Sequence, residues 1–314
     1  MLSGTPLFLL LLAGGIVALY GGAELLVAGA GRLALGIGLR ATTVGVTVIA
    51  FATTAPELFV STIGAVNVST DIGLGAVVGS NIANIGLVLG AAALIKPLPI
   101  EGRVMRRHVP VMVLAAVLLV ALGANGRIGR LEGAIFLLVL AGFTAFLLYY
   151  VNADPMPMDD DPDAGAGISI RDIALVIGGL VALVIGSRWL VAGGTGLLSA
   201  LGVSDLVIGL TVLALGTSLP ELAASVVGAV RGETEFAIGN VVGSNIYNIL
   251  AVLGIVALIT PIEIQPATLR FELPIMIGFT VVLVGMMGYG RRLTRIDGAL
   301  LIAGYLGFLY LLVP

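Results

Sequence analysis

Long apolar runs, broken by short polar or Gly/Pro-rich punctuation, fill this chain from end to end. They predict helices over residues 5–33, 42–65, 72–95, 106–124, 128–151, 169–200, 205–230, 236–260, 271–289 and 296–313. Crossing a hydrocarbon layer of about 30 Å takes a helix of about 20 apolar residues, so these runs read as ten transmembrane spans. One stretch has the composition of a linker: NADPMPMDDDPDAGAG, residues 152–167, rich in Asp, Pro and Gly. The predicted organisation is an all-α membrane protein, with a first five-helix repeat over 1–151, an acidic cytoplasmic linker over 152–168, and a second five-helix repeat over 169–314.

The polar interruptions recur. Shifting the chain by 164 residues superposes GAVVGSNIANIGLVLG (75–90) on GNVVGSNIYNILAVLG (239–254) with 12 of 16 positions identical. The same shift carries Gly22 to Gly186, Thr53 to Thr217, Glu57 to Glu221 and Ser61 to Ser225. The chain is an internal duplication. Because each unit holds an odd number of spans, the second enters the membrane from the side opposite to the first, and the repeats are inverted.

Composition adds exclusions. With 59% hydrophobic and 11% charged residues, and a mean hydropathy of +1.17, the chain has no room for a sizeable extramembrane domain, and no nucleic-acid partner is expected. The N-terminal MLSGTPLFLLLL lacks a basic leader region and is expected to remain as the first span. Absence of Cys rules out disulfides and thiolate metal sites, and the single His108 cannot form a histidine cluster. With the N-terminus placed outside, eleven Lys or Arg residues fall on the cytoplasmic side, among them Lys96, Arg106, Arg107, Arg231 and Arg295, while Arg127, Arg130 and Arg270 fall outside. That asymmetry predicts a multi-pass protein of the cell membrane with both termini outside.

Against this background two carboxylates stand out. FATTAPELFVS (51–61) and ALGTSLPELAAS (214–225) each place a Glu inside an apolar span, Glu57 and Glu221. An ionisable group at that depth costs about 2.5–3.5 kcal/mol even on lenient scales, and reads first as a functional site. Counting about 1.5 Å of rise per residue from Thr42 and Asp205 brings both near mid-bilayer. There, residues related by an in-plane two-fold axis can meet. Pro56 and Pro220 remove amide hydrogens and crowd carbonyls one turn back, which is expected to free backbone oxygens around Ala52, Thr53, Gly216 and Thr217. The hydroxyls of Thr53, Thr54, Thr217 and Ser218 stand beside them. Ser80 with Asn84, and Ser244 with Asn248, are four residues apart and share a helical face. Gly75 and Gly79, like Gly239 and Gly243, have the spacing that lets helices approach closely. The ligand inventory is all oxygen, suited to hard cations such as Ca²⁺ and Na⁺ and not to transition metals or anions.

Blander readings exist for each part. A membrane Pro is often only a kink, a Ser or Thr often bonds its own backbone, and an Asn often joins helices. Recurrence of both Glu residues in register is what favours a site. Glu24 maps onto Arg188, so these two lie at mirror depths and are expected to take local structural or gating roles, not to pair with each other. The DDDPD run reads as a solvated loop, with Ca²⁺ regulation a distant second.

The paired PEL motifs, ALGTSLPE and the doubled GSNI-x-N stretch resemble the two alpha repeats of the sodium/calcium exchanger family, within the cation/calcium exchanger superfamily. The resemblance covers both halves. It implies a secondary antiporter, not an enzyme, with no cofactor, with Ca²⁺ and Na⁺ as transported ions, the lipid bilayer as surroundings and a monomer as functional unit. It further implies four cation subsites at midplane, with Glu57 and Glu221 central, joined by Thr53 and Thr217 through backbone oxygens. Thr54, Ser218 and Ser244 would serve flanking Na⁺ subsites, Ala50 and Ala214 would add carbonyls, Asn84 and Asn248 would line the middle, and Ser80 is the repeat mate of Ser244. In such exchangers the first and sixth helices slide across the other eight. The first motif departs from the family pattern, with Ala52 for Gly and Thr54 for Ser, and the two Asn residues argue against potassium dependence. Na⁺-driven Ca²⁺ extrusion is the leading expectation; a Ca²⁺/H⁺ antiporter using the same Glu pair, or a passive cation channel, stand as alternatives.

Overall fold

The longest helices lie against each other. In the computed structural model, which describes residues 4–36, 45–54, 57–58, 61–62, 65, 70–153, 169–202 and 216–312, α1 spans Thr5–Gly36. For this account α2 is Ala50–Thr53, α3 Thr70–Ala83, α4 Gly90–Ile95, α5 Val109–Gly123 and α6 Arg130–Ala153. In the second half α7 is Ile170–Ala200, α8 Leu219–Arg231, α9 Thr234–Tyr247, α10 Gly254–Ile259, α11 Leu273–Gly288 and α12 Arg295–Leu312. At 32 and 31 residues, α1 and α7 are longer than a bilayer core requires.

Their contact is made by glycine. Gly15, Gly22 and Gly29 of α1 map by the 164-residue shift onto Gly179, Gly186 and Gly193 of α7, and the two stripes meet backbone to backbone. A Cβ at Gly22 would lie 2.9 Å from the Gly179 carbonyl oxygen, and one at Gly15 would lie 2.9 Å from that of Gly186. Position numbers rise on one helix as they fall on the other, so the pair is antiparallel. Small residues at such an interface let dispersion and backbone contact replace the hydrophobic drive that lipid removes.

The third and eighth spans form the interior. Over Gly73–Ile95 and Thr234–Ile259, 72% and 83% of positions in the apolar window are buried, against 39% or less for the other six helices long and apolar enough to cross a membrane. Each contains a π-helical turn, Asn84–Leu89 between α3 and α4 and Asn248–Leu253 between α9 and α10, again 164 residues apart. Two more π turns, Val104–His108 and Thr268–Glu272, open α5 and α11 with the same offset. They carry these helices two to three residues further back than the apolar pattern places them.

Four two-residue strands make the inversion visible. β1 (Leu98–Pro99) pairs antiparallel with β4 (Arg292–Leu293), and β2 (Arg127–Ile128) with β3 (Ile262–Glu263). β1 and β3 are repeat mates, so each small sheet joins one repeat to the other, and the two-fold axis exchanges the sheets. The loops joined in each are ones that the charge distribution assigns to a common face. Helix packing repeats in the same way: a Cβ at Gly133 would sit 2.9 Å from the Gly254 carbonyl oxygen, and one at Gly298 would sit 2.6 Å from that of Gly90. The fold is the predicted all-α membrane one in two inverted repeats, with eight helices long and apolar enough to cross a membrane among the described residues.

The second and seventh spans are described in part, as a π turn at Gly45–Ile49 running into α2, residues 57, 58, 61, 62 and 65, and α8 with the turn before it. Residues 154–168 of the acidic linker, Pro56 and Ala214 lie outside the described residues, while the linker's first two residues, Asn152 and Ala153, end α6. Buried side chains of α1, α7 and α8, including Leu26, Leu183 and Val227, form a small core of their own with Phe236, distinct from the main core of the remaining spans.

Candidate ion-binding site

The seventh span does not run straight through its proline. α8 begins at Leu219 with Pro220 in its first turn, where the missing amide hydrogen costs nothing, and Glu221 follows in the same turn. A helix thus starts at the depth of the carboxylate. Ser218 is its N-cap residue, yet the Ser218 hydroxyl makes no capping bond. In the first repeat α2 ends at Thr53, with Thr54 as C-cap residue donating its amide to the Ala50 carbonyl at 3.0 Å. Glu57 and Leu58 are helical, and the Leu58 amide donates to the Thr54 carbonyl at 3.1 Å.

Glu57 and Glu221 are both buried, each about 1% exposed, and close enough to repel one another. The Thr217 hydroxyl lies beside the Glu57 carboxyl, and the hydroxyls of Thr53 and Ser244 beside that of Glu221. Each carboxylate is therefore approached by a threonine of the opposite repeat. Ser80 of α3 brings its hydroxyl to 3.4 Å from that of Thr217. Asn84 and Asn248 occupy the first position of the two interior π turns, and the turn carrying Asn84 packs against α8. A π turn inserts one extra residue and re-aims the side chains that follow, a device concentrated at functional sites.

Most of these polar groups have no protein partner. Both oxygens of Glu57, one of Glu221, the hydroxyls of Thr54, Ser218 and Ser244, and both amide atoms of Asn84 and Asn248 are buried without a hydrogen bond. Such groups ordinarily cost about 1–3 kcal/mol each when left unpaired, more when charged. Concentration of that cost at the end of α2, at Glu57, at the start of α8, in α9 and at the head of two π turns is what an oxygen cage for a cation would look like from the protein side. Among the described residues no cluster of three or more His, Cys, Asp and Glu exists, so the two carboxylates would share an ion with hydroxyl, amide and carbonyl oxygens.

Close packing holds the cage together. A Cβ at Gly243 would lie 2.6 Å from the Val46 carbonyl oxygen, so α9 rests directly on the π turn leading to α2. This is the close approach expected of the Gly239/Gly243 spacing. The matching contact of Gly75 and Gly79 would involve residues 203–215, outside those described.

Two expected backbone ligands are engaged elsewhere. Pro220 frees the Gly216 carbonyl, but the Ser187 hydroxyl of α7 donates to it. The Ala50 carbonyl accepts both the Thr54 amide and the Thr53 hydroxyl, the latter at 3.3 Å. Asn240 is a residue that the sequence did not flag. Its side-chain oxygen lies 3.4 Å from the Thr53 hydroxyl, and its amide nitrogen donates to Ser225 at 3.1 Å. An amide in an apolar span was a usable signal, but its repeat mate is Ala76 and the symmetric comparison passed over it. Glu24 is ion-paired with Arg231 at the end of α8, while Arg188 is exposed on α7.

Comparison with known proteins bears on the family and the fold. The family described as sodium/calcium exchanger protein matches residues 7–149 and 172–313, one match in each half. CaxA of Alkalimonas amylolytica is 38% identical over 278 residues, covering 85% of this chain and 86% of the relative. The sodium/calcium exchanger MaX1 of Methanosarcina acetivorans is 32% identical over 311 residues, covering 85% and 87%. The solved structure of the sodium-calcium exchanger NCX_Mj soaked with zero Na⁺ and Ca²⁺ superposes with a TM-score of 0.85 at 27% identity, over 98% of this chain and 99% of that one. With both halves matched and the whole fold shared, the chain belongs to the sodium/calcium exchanger family, whose members are membrane cation antiporters.

Proposed function

We propose that this chain exchanges Na⁺ for Ca²⁺ by alternating access and uses the Na⁺ gradient to extrude Ca²⁺. Glu57 and Glu221 are the central ligands of one cage. The observation that carries this reading is the set of buried oxygens without protein partners, gathered around two buried carboxylates. Two unit charges 4 Å apart repel by about 4 kcal/mol at an effective dielectric of about 20, so an unloaded cage resists occlusion, whereas one Ca²⁺ or several Na⁺ relieves it. Both ions need the same oxygens, and loading one displaces the other. A ratio of three Na⁺ to one Ca²⁺ would move one net charge, worth about 2.3 kcal/mol per 100 mV.

Thr53, Thr217, Ser80 and Ser244 surround the carboxylates, Thr54 and Ser218 flank them, and Asn84 with Asn248 lines the middle. Ala50 joins only when the Thr53 hydroxyl turns from its carbonyl toward an ion; Ala214 is its symmetric counterpart. The halves are residues 1–151 and 169–314, with 152–168 as a cytoplasmic linker and both termini outside. Pairing of the Lys96–Arg107 region with Arg291–Arg295 across β1 and β4 supports that orientation by concentrating positive charge on one face. One chain supplies both halves of the cage, so a single copy suffices.

Proteoliposomes with imposed gradients of Na⁺, K⁺ or H⁺ test the reading. Radiocalcium uptake should follow the outward Na⁺ gradient and ignore the other two. Dependence on the pH gradient would assign protons to the Glu pair instead, and uptake without any counter-ion would make the protein a channel.

A further inference from the structure

Away from the cage, the membrane-facing surface carries two grooves that are repeat mates. One, of about 330 Å³, runs between α5 and α6 from Arg106 and Arg107 past Pro110 to Leu114 and Val139. The other, of about 710 Å³, runs between α11 and α12 from Arg270 past Pro274. Arg106 and Arg270, like Pro110 and Pro274, are 164 residues apart, and in both grooves a π turn delivers the arginine to the mouth. Each groove also has a glycine in its wall, Gly142 in the first and Gly278 in the second, where a Cβ would meet nothing within 4 Å among the described residues.

We propose that the α5/α6 groove is a binding site for an anionic phospholipid, its phosphate on Arg106 and Arg107 and an acyl chain along the apolar trough. Arg106, Pro110 and Leu114 fall at four-residue intervals on one face of the helix, which makes a track about 12 Å long at 1.5 Å per residue. That is the depth of about one leaflet. Charge selects the headgroup: the loop and π turn from 96 to 108 carry Lys96, Arg103, Arg106 and Arg107 against the single acid Glu101, and the Arg291 side chain converges with that of Arg106 over Gly102. Basic pockets between spans at a membrane face recognise anionic headgroups in this way. The mate groove serves as an internal comparison. There Phe271 replaces Arg107 and Glu272 replaces His108, so the corresponding turn carries one arginine and one acid and anionic lipid is not favoured.

The test uses the full chain in nanodiscs of equal parts phosphatidylcholine and phosphatidylglycerol, followed by native mass spectrometry of the lipids it retains. Wild type should keep a phosphatidylglycerol in preference to phosphatidylcholine. Arg106→Gln with Arg107→Gln should cut that preference by about fivefold per arginine removed. Gly142→Leu should abolish retention of either lipid at this site while leaving thermal unfolding unchanged, because the added side chain enters open space. On the unaltered protein, phosphatidylglycerol with a photoreactive acyl chain should label residues 110–114 and 139–146. Retention in bulk proportion by wild type, equal preference in the double variant, or labelling confined to other spans would each overturn the assignment.

Discussion

The hydroxyl of Ser187, on α7, donates its hydrogen to the carbonyl of Gly216, the backbone oxygen released by Pro220 at the start of α8. A helix that the family resemblance assigns to the moving pair is thereby tied to the break that positions Glu221. Ser187→Ala should leave the carbonyl unpaired and lower stability by about 1–3 kcal/mol. It should also change the rate of Na⁺-driven radiocalcium uptake, and Ser187→Thr should restore both. Unaltered melting and uptake in the alanine variant would show that the bond couples nothing.

Replacing either central carboxylate separates ion binding from folding. Glu57→Gln and Glu221→Gln should each reduce uptake to background while the protein remains folded, since each removes a buried charge that lacks a full set of protein partners. In wild type, Ca²⁺ at a hundredfold excess over its dissociation constant should raise stability by about 2.7 kcal/mol. Thermal unfolding with and without Ca²⁺ should show that increment disappear in both variants.

Neighbouring glycines on α1 offer a matched pair. Gly22 meets the α7 backbone, whereas a Cβ at Gly21 would meet nothing within 4 Å among the described residues. Gly22→Leu should cost about 1–3 kcal/mol or more by forcing the helices apart, and Gly21→Leu should change stability by less than about 0.5 kcal/mol. Equal melting temperatures for the two variants would remove the role given to the glycine stripe.

Asn240 bridges Thr53 and Ser225, so Asn240→Leu strips a buried hydroxyl of its donor and loosens a residue of the cage. Destabilisation of about 1–3 kcal/mol is expected, with weaker Ca²⁺ stabilisation in the same melting assay. Ala76→Leu, at the repeat-equivalent position, should leave Thr53 and its Ca²⁺ response unaffected.

The ion pair between Glu24 and Arg231 joins α1 to the far end of α8, and both side chains are partly exposed. A double-mutant cycle with Glu24→Gln and Arg231→Gln should give a coupling of no more than about 1 kcal/mol, falling with added salt. Its value for transport is read from uptake rates in the same four proteins.

Much of the candidate site was legible in the sequence. Glu57 and Glu221 announce themselves because charge inside an apolar span is costly, and the 164-residue register brings Thr53, Ser80, Asn84 and their mates along with them. Symmetry was also the blind spot: Asn240 faces Ala76 in the alignment of the repeats and Ser187 faces Ala23, so neither appears when repeated residues are sought.

Hydrophobic periodicity and duplication, by themselves, determined ten spans, their inversion and the pair of carboxylates, because burial in lipid constrains every residue of a span and leaves a pattern along the chain. Only the tertiary structure decided which freed carbonyls stay available, where the π turns aim the two asparagines, and how closely the glycine stripes of α1 and α7 approach. Those outcomes depend on ångström-scale contacts between helices far apart in sequence, for which the one-dimensional pattern carries no record.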